Sequence, residues 1–217
     1  MRSAPTVPKW HAEVTSDSKM TLVVMDMQKL FLTDKKSPWH DGKLLSIVPK
    51  IQSLLKAVNP ENVIFTQFIP PKNWQNEHGS WQTYYKINQG ITGEMLGTGS
   101  LDVVDKLLPQ VLNRAVLSTR KTTASVFTTG NFHSKIKKKS TKFLIFTGIE
   151  TDYCVLSSVL DAIHLGYYVI VVMDACASSK KYGQRNAKGI FERFPEQLWI
   201  TTSKQLIRQL QKPKSKN

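Results

Sequence analysis

Cys154 is the residue best placed to do chemistry. It follows the apolar run Phe143-Leu144-Ile145-Phe146 and the segment Thr147-Gly148-Ile149-Glu150-Thr151-Asp152-Tyr153. Beyond it, Val155, Leu156, Val159, Leu160 and Ile163 recur at helical spacing. The pattern predicts strand, tight turn, helix. Thr151 or Asp152 is positioned to cap the helix, which puts Cys154 in its first turn. Unpaired amides and the positive end of the helix dipole meet there. Both favour thiolate over thiol, and the thiolate is the nucleophile. The same amides could hold a developing oxyanion. Taken alone, such a cysteine is more often a buried structural residue.

Two distant residues change that balance. Asp26 ends the apolar run Thr21-Leu22-Val23-Val24-Met25, and Lys121 follows Ala115-Val116-Leu117-Ser118 by a few positions. In open α/β sheets, ligands bind beyond the carboxyl ends of the strands. All three residues are predicted at such ends, each on a different strand. Together they are the parts of a nucleophilic site. Cys154 would attack a carbonyl, Asp26 would take the thiol proton and pass it on, and Lys121 would stabilise the thiolate and orient the carboxylate. Separately, Asp26 reads as a strand-end turn carboxylate and Lys121 as a surface lysine.

The elements that must position these residues follow a regular order. Apolar strands are expected at 21–25, 62–67, 115–118, 143–147, 167–173 and 198–200. Their continuity suggests burial on both faces. Between them, Leu44 to Val58 carries a helical stripe with Pro49 as an awkward interior residue. Further helices are expected at 101–108, after a cap at Asn131, from Cys154 to about Leu165, at 181–193 and from Ser203. The loop 33–42 and a long polar stretch, 68–100, interrupt the pattern. A loop of that length usually carries function, here as a substrate lid or a subunit contact. Strand–helix alternation of this kind predicts an α/β fold: a single-domain, doubly wound, mostly parallel sheet with helices on both faces. The expected domains are an N-terminal arm at 1–19, one main domain at 20–208, and a basic tail at 209–217.

Bulk properties narrow the classes. The 217 residues include two cysteines, Cys154 and Cys176, which make no disulfide framework and fit a reducing, cytoplasmic setting. Residues 1–18 hold no apolar core of a secretory signal, and no run is long enough to span a bilayer. The net charge is +14, partly clustered at Lys135, Lys137, Lys138, Lys139 and Lys142. A nucleic-acid binder can carry such a charge, but no aromatics for base stacking interleave these runs. A solvated basic surface is the expectation. Gly-rich phosphate and dinucleotide motifs are absent.

Three blocks then resemble one family. They are Val23-Val24-Met25-Asp26-Met27-Gln28, Arg120-Lys121-Thr122-Thr123-Ala124-Ser125-Val126-Phe127, and Thr147 through Val155. In this order and spacing they are similar to the signature blocks of the isochorismatase-like cysteine hydrolases, over residues 20–208. The resemblance implies an Asp26-Lys121-Cys154 triad. It also implies a cis peptide at Ile149–Glu150 that turns the backbone amides of Glu150 and Cys154 toward one oxyanion site. Most such enzymes cleave a small C–N bond of an amide, ureide or carbamoyl compound through a thioester. Isochorismatases instead split a vinyl ether without a cysteine here, so Cys154 argues against that reaction. Nicotinamidases of the family place an Asp-x-His metal site after strand two. This chain has Phe65-Thr66-Gln67-Phe68-Ile69-Pro70-Pro71 there, so no metal and no cofactor are expected.

Without a metal, substrate binding must rest on shape, apolar contact and a few hydrogen bonds. Trp74, Trp81, Tyr84 and Tyr85 are the expected wall residues, with Phe127 of the Lys121 block beside them. Glu150 is acidic where many amidases carry a small residue, and its side chain is expected to face away from the pocket. The competing readings are an ether hydrolase, or a non-catalytic small-ligand or nucleic-acid binder on the same fold. A homodimer or homotetramer is the expectation carried by the resemblance.

Overall fold

The computed structural model describes residues 7–113, 117–128 and 131–212. Its strands are β1 (Met20–Met25), β2 (Val63–Phe68), β3 (Leu117–Lys121), β4 (Phe143–Ile149), β5 (Tyr168–Ala177) and β6 (Leu198–Thr201). The helices are α1 (Lys29–Leu32), α2 (Val48–Ala57), α3 (Gly79–Ile87), α4 (Leu108–Val111), α5 (Phe132–Lys138), α6 (Leu156–His164), α7 (Gly183–Phe191) and α8 (Ser203–Leu210). The strands form one sheet in the order β3-β2-β1-β4-β5-β6, and every neighbouring pair is parallel.

The apolar strands are covered on both faces, as their continuity predicts. Leu22, Val24, Phe143 and Ile145 face one core with α2 and α8. Val23, Met25, Leu144 and Phe146 face the other with α5, α6 and α7. Successive strand side chains alternate faces, so a continuous apolar run is what two cores require. Winding outward in both directions from the central pair β1–β4 leaves the carboxyl ends of β1, β3 and β4 on one edge.

Several elements differ from their sequence expectations. The stripe at 44–58 divides into a 3-10 turn, Gly42–Ile47, and α2. Pro49 lies in the first turn of α2, where its missing N–H leaves no helical bond unmade. The 68–100 stretch is not structureless: it holds α3 between short 3-10 turns at Trp74–Asn76 and Gln89–Ile91. The helix expected at 101–108 lies later, as a 3-10 turn at Asp105–Leu107 running into α4. Asn131 stands at the N-cap position of α5 without capping it, because its Oδ1 accepts the Thr119 hydroxyl at 3.1 Å.

The start of the chain packs on its own domain. Trp10, in a 3-10 turn at Lys9–Glu13, is buried beside Phe143 and Tyr168, and its indole N–H donates to the Glu196 carbonyl at 2.6 Å. At the other end α8 continues through Leu210, past the expected 208 boundary, with Gln209 and Leu210 buried. Residues 1–6 of the arm and 213–217 of the tail lie outside the described residues. Among the described residues, no helix is long and apolar enough to cross a membrane.

Candidate active site

Strand register brings the three chemical residues together. Met25 pairs with Gly148, and Phe68 with Lys121. Gly148 has φ +102, and a Cβ there would overlap the Met25 backbone, so β1 and β4 can approach this closely only with glycine at that position. Asp26 follows at once, itself in the left-handed region with φ 49, a conformation uncommon outside glycine and associated with functional positions. Its amide donates to the Thr66 hydroxyl at 3.0 Å, and that hydroxyl donates to Asp26 Oδ1 at 2.5 Å. Thr66 thereby fixes the carboxylate. Nothing in the local sequence marked it, but its place on β2 beside the end of β1 explains the role.

Lys121 is the last residue of β3, and its side chain is fully enclosed. Nζ lies 2.7 Å from Asp26 Oδ2, donates to Cys154 Sγ at 3.2 Å and donates to the Thr123 carbonyl at 3.0 Å. Two of the ammonium's N–H groups thus donate to the sulfur and to the Thr123 carbonyl, and the contact with Oδ2 is an ion pair. The contact with Oδ2 is short but poorly aligned, so Oδ2 keeps a lone pair without a hydrogen bond. Burial pulls the Lys121 pKa down, yet the charges of Asp26 and Cys154 outweigh it and leave the group above the ordinary lysine value.

Cys154 sits in a π-helical turn, Thr151–Val155, that leads into α6. Such turns recur at functional sites. The Tyr153 and Val155 amides both donate to the Glu150 carbonyl at 3.1 Å. Glu150, not Thr151 or Asp152, occupies the cap position, and no side chain caps it. The Thr151 hydroxyl instead donates to Gln184 Oε1 at 2.5 Å. Gln184 Nε2 in turn donates to the carbonyls of Met173 and Cys176, across an irregularity where β5 shifts register against β4. The Ile149–Glu150 peptide is cis.

The surroundings of the thiol work against the ionisation that a helix start favours. Burial first, and then the Asp26 charge, push the Cys154 pKa up to about 12, with Lys121 only partly offsetting them. The site therefore sets the thiol beside the buried Lys121–Asp26 ion pair.

A cavity of 590 Å³ opens over Asp26 and Cys154. Trp81, Tyr84 and Tyr85 line it, all from α3. So do Phe31, Trp39, Phe68 and Tyr153, which sequence reasoning did not place there. Two expected wall residues lie elsewhere. Trp74 packs beneath Lys86, whose Nζ is 5.2 Å from its ring centre. Phe127 meets Phe132 and His133 edge-on and stacks with Tyr167. Its segment is tied to α6 by Val126 N–H to the Ser158 hydroxyl at 3.0 Å, and by the Ser125 hydroxyl to Asp161. That turns Phe127 toward the α5 side of the sheet. Glu150 faces the cavity after all, with Ser179 donating to its Oε1 at 2.7 Å. Burial raises its pKa, the Ser179 bond opposes this, and Asp152 adds to it. Among the described residues, no group of three or more His, Cys, Asp or Glu side chains is gathered to hold a metal.

Comparison with known proteins accords with this architecture. A family model described as the Isochorismatase domain matches residues 20–205. The ureidoacrylate amidohydrolase RutB of Rhizobium rhizogenes is 28% identical over 178 residues, 73% of this chain and 70% of that protein. The RutB protein of Agrobacterium fabrum is 37% identical over a shorter stretch of 87 residues, 39% of this chain and 37% of that protein. Among solved structures, a cysteine hydrolase from Pseudomonas syringae pv. phaseolicola superposes with a TM-score of 0.79 at 21% identity, covering 96% of this chain and 98% of that one.

Proposed function

Because this chain belongs to the isochorismatase family, whose amidohydrolase members are its relatives, we propose that it is a metal-independent cysteine hydrolase of small amides, ureides or carbamoyl compounds. The observation that carries this reading is the position of the Lys121 ammonium, 2.7 Å from Asp26 and 3.2 Å from the Cys154 sulfur, beneath a cavity that Asp26 and Cys154 line.

The reaction follows from that geometry. As the sulfur attacks the carbonyl carbon, the thiol proton passes to Asp26, whose Oδ2 has a free lone pair. Lys121 stays cationic throughout. It stabilises the forming C–S bond's sulfur while it is anionic, and it holds the carboxylate in place. The carbonyl oxygen becomes an oxyanion, received by the backbone N–H groups of Glu150 and Cys154. Collapse breaks the C–N bond, and Asp26 returns the proton to the departing nitrogen as ammonia or an amine. Asp26 then takes a proton from water, the hydroxide attacks the thioester, and sulfur leaves to be reprotonated from Asp26. Atoms balance as amide plus water giving acid plus amine.

The end of β2 does not supply a metal's donors. Gln67 gives its amide to the Leu101 carbonyl at 3.0 Å, and the Phe68 ring stands 5.3 Å from Lys121 Nζ. Substrate orientation then falls to the aromatic wall and to hydrogen bonds. The test is ammonia release from a panel of small amides, ureides and carbamoyl compounds that includes ureidoacrylate, with Cys154→Ser beside the parent chain. Turnover by the parent alone is expected. No release from any member of the panel, or equal release by the variant, would overturn the reading.

A further inference from the structure

The cavity joins two unlike walls. On one, Phe31, Trp39, Phe68, Trp81, Tyr84 and Tyr85 form an unbroken chain of ring contacts with centroids 5.2 to 6.4 Å apart. On the other, the nucleophile turn supplies Glu150, Asp152 and Tyr153. Setting Asp26 aside, three carboxylates line the space against one lysine, Lys180. This is an acidic pocket in a chain of net charge +14.

Two of those carboxylates are engaged. Asp41 Oδ1 accepts the Lys43 amide at 2.9 Å, and Glu150 accepts the Ser179 hydroxyl with the Lys180 charge beside it. Asp152 differs: its Oδ1 is buried and has no donor. The Tyr85 hydroxyl is also buried without a partner, on a residue 1% exposed. Leaving a buried polar atom unpaired costs about 1–3 kcal/mol, and more for a charged one. A ligand N–H group brought to Asp152 relieves its carboxylate. Beside Asp152 a carboxylate ligand would set acceptor against acceptor and repeat the charge, whereas the Tyr85 hydroxyl, which both donates and accepts, does not discriminate. Aromatic rings attract cations, most strongly where water is excluded. The distant surface lysines that make the chain basic are screened beyond about 8 Å at physiological salt.

We infer that this site selects a substrate bearing an N–H-containing cation, an ammonium or guanidinium group, held between Asp152 and the aromatic wall. The substrate is then a small amide or ureide with a positively charged distal end, an assignment that rests on the hydrolase reading above. The cation preference itself is a binding property and can be measured without turnover.

Isothermal titration of the full chain with benzylammonium, benzyl alcohol and benzoate measures it. Benzylammonium is expected to bind at least about tenfold more tightly than benzyl alcohol, with benzoate weakest. In Asp152→Asn the ratio of the first two should fall toward one. Equal affinities, or tighter binding of benzoate, would overturn the inference. If the variant does not fold, salt dependence on the parent chain decides: the benzylammonium preference should shrink with added salt while benzyl alcohol stays constant, and a salt-independent preference counts against it. A second panel separates the two claims. Hydrolysis of 3-aminopropionamide, propionamide and succinamate with no preference for the cation would sink this inference and keep the hydrolase. Cation-selective binding with no turnover of any amide would do the reverse.

Discussion

The Lys121 ammonium donates to the Cys154 sulfur at 3.2 Å, and both groups are buried. One cation thus serves two anions in turn, the standing charge of Asp26 and the charge that forms on sulfur. Removing it exposes the dependence. Lys121→Met leaves the Asp26 carboxylate buried and unpaired, which should destabilise the fold by about 3–5 kcal/mol. The double variant Asp26→Asn/Lys121→Met should recover much of that loss while remaining inactive. Urea denaturation of the four proteins in this cycle gives the answer. A single variant as stable as the parent would show that the pair is not coupled.

Thiol reactivity carries a pH signature. The Cys154 pKa is raised from 9.0 to about 12, by burial and then by Asp26. The folded state therefore holds a proton that the unfolded chain releases at lower pH. The resulting stability is fully present below pH 9.0 and is lost as pH rises toward 12. Iodoacetamide labelling should accelerate through the same window, with Cys154 as the modified residue. Cys176 also has its pKa raised, by burial and then by Asp174, and its thiol faces the Phe146 carbonyl. Peptide mapping that finds Cys176 labelled first would contradict the assignment.

Gln184 has no contact with the reacting atoms, yet it ties the nucleophile turn to β5 through Thr151 and the carbonyls of Met173 and Cys176. Gln184→Ala should lower kcat by about 10- to 100-fold and leave KM within a few-fold, since alignment is lost and the aromatic wall is not. A change confined to KM would mean that Gln184 serves substrate binding instead.

The pocket wall separates from its neighbours in the same experiment. Trp81→Ala and Tyr85→Ala should raise KM and cut kcat/KM by at least about tenfold, because they remove apolar contact on the substrate. Trp74→Ala and Phe127→Ala should leave KM unchanged and lower thermal stability, since those rings pack away from the cavity. Activity should also survive exhaustive dialysis against EDTA. Loss on chelation, restored by zinc or iron, would place a metal in the mechanism.

The central strands and the end of β1 were legible for one reason, whereas the third strand, expected at 115–118, runs Leu117–Lys121 with residues 115 and 116 outside the described ones. A run buried on both faces must be continuously apolar, and a chemical residue at its carboxyl end interrupts it visibly, as Asp26 does; Cys154 follows β4 in the turn before an amphipathic helix. What stayed hidden depends on tertiary packing. The helix α3 has an apolar face made only of Trp81, Tyr84 and Tyr85, and it lacks a side-chain cap, so its sequence reads as polar loop. Trp39 reaches the cavity from the loop 33–42, where no periodicity announces it. The π turn adds one residue to the expected helix start, which moves Thr151 from a cap to a tether on Gln184. Phe127 was misplaced because its direction is set by the Ser125 and Val126 bonds to α6, partners more than thirty residues away.

The central claim is that Cys154 becomes acylated during turnover. Mass spectrometry of the protein, quenched in acid while it hydrolyses a small amide, tests this directly. The account predicts that the peptide containing Cys154 gains the mass of the substrate's acyl group in place of the thiol hydrogen, that Cys176 gains none, and that Cys154→Ser neither turns over nor carries a thioester. Sustained hydrolysis by Cys154→Ser, or an acyl group found on another residue, would contradict it.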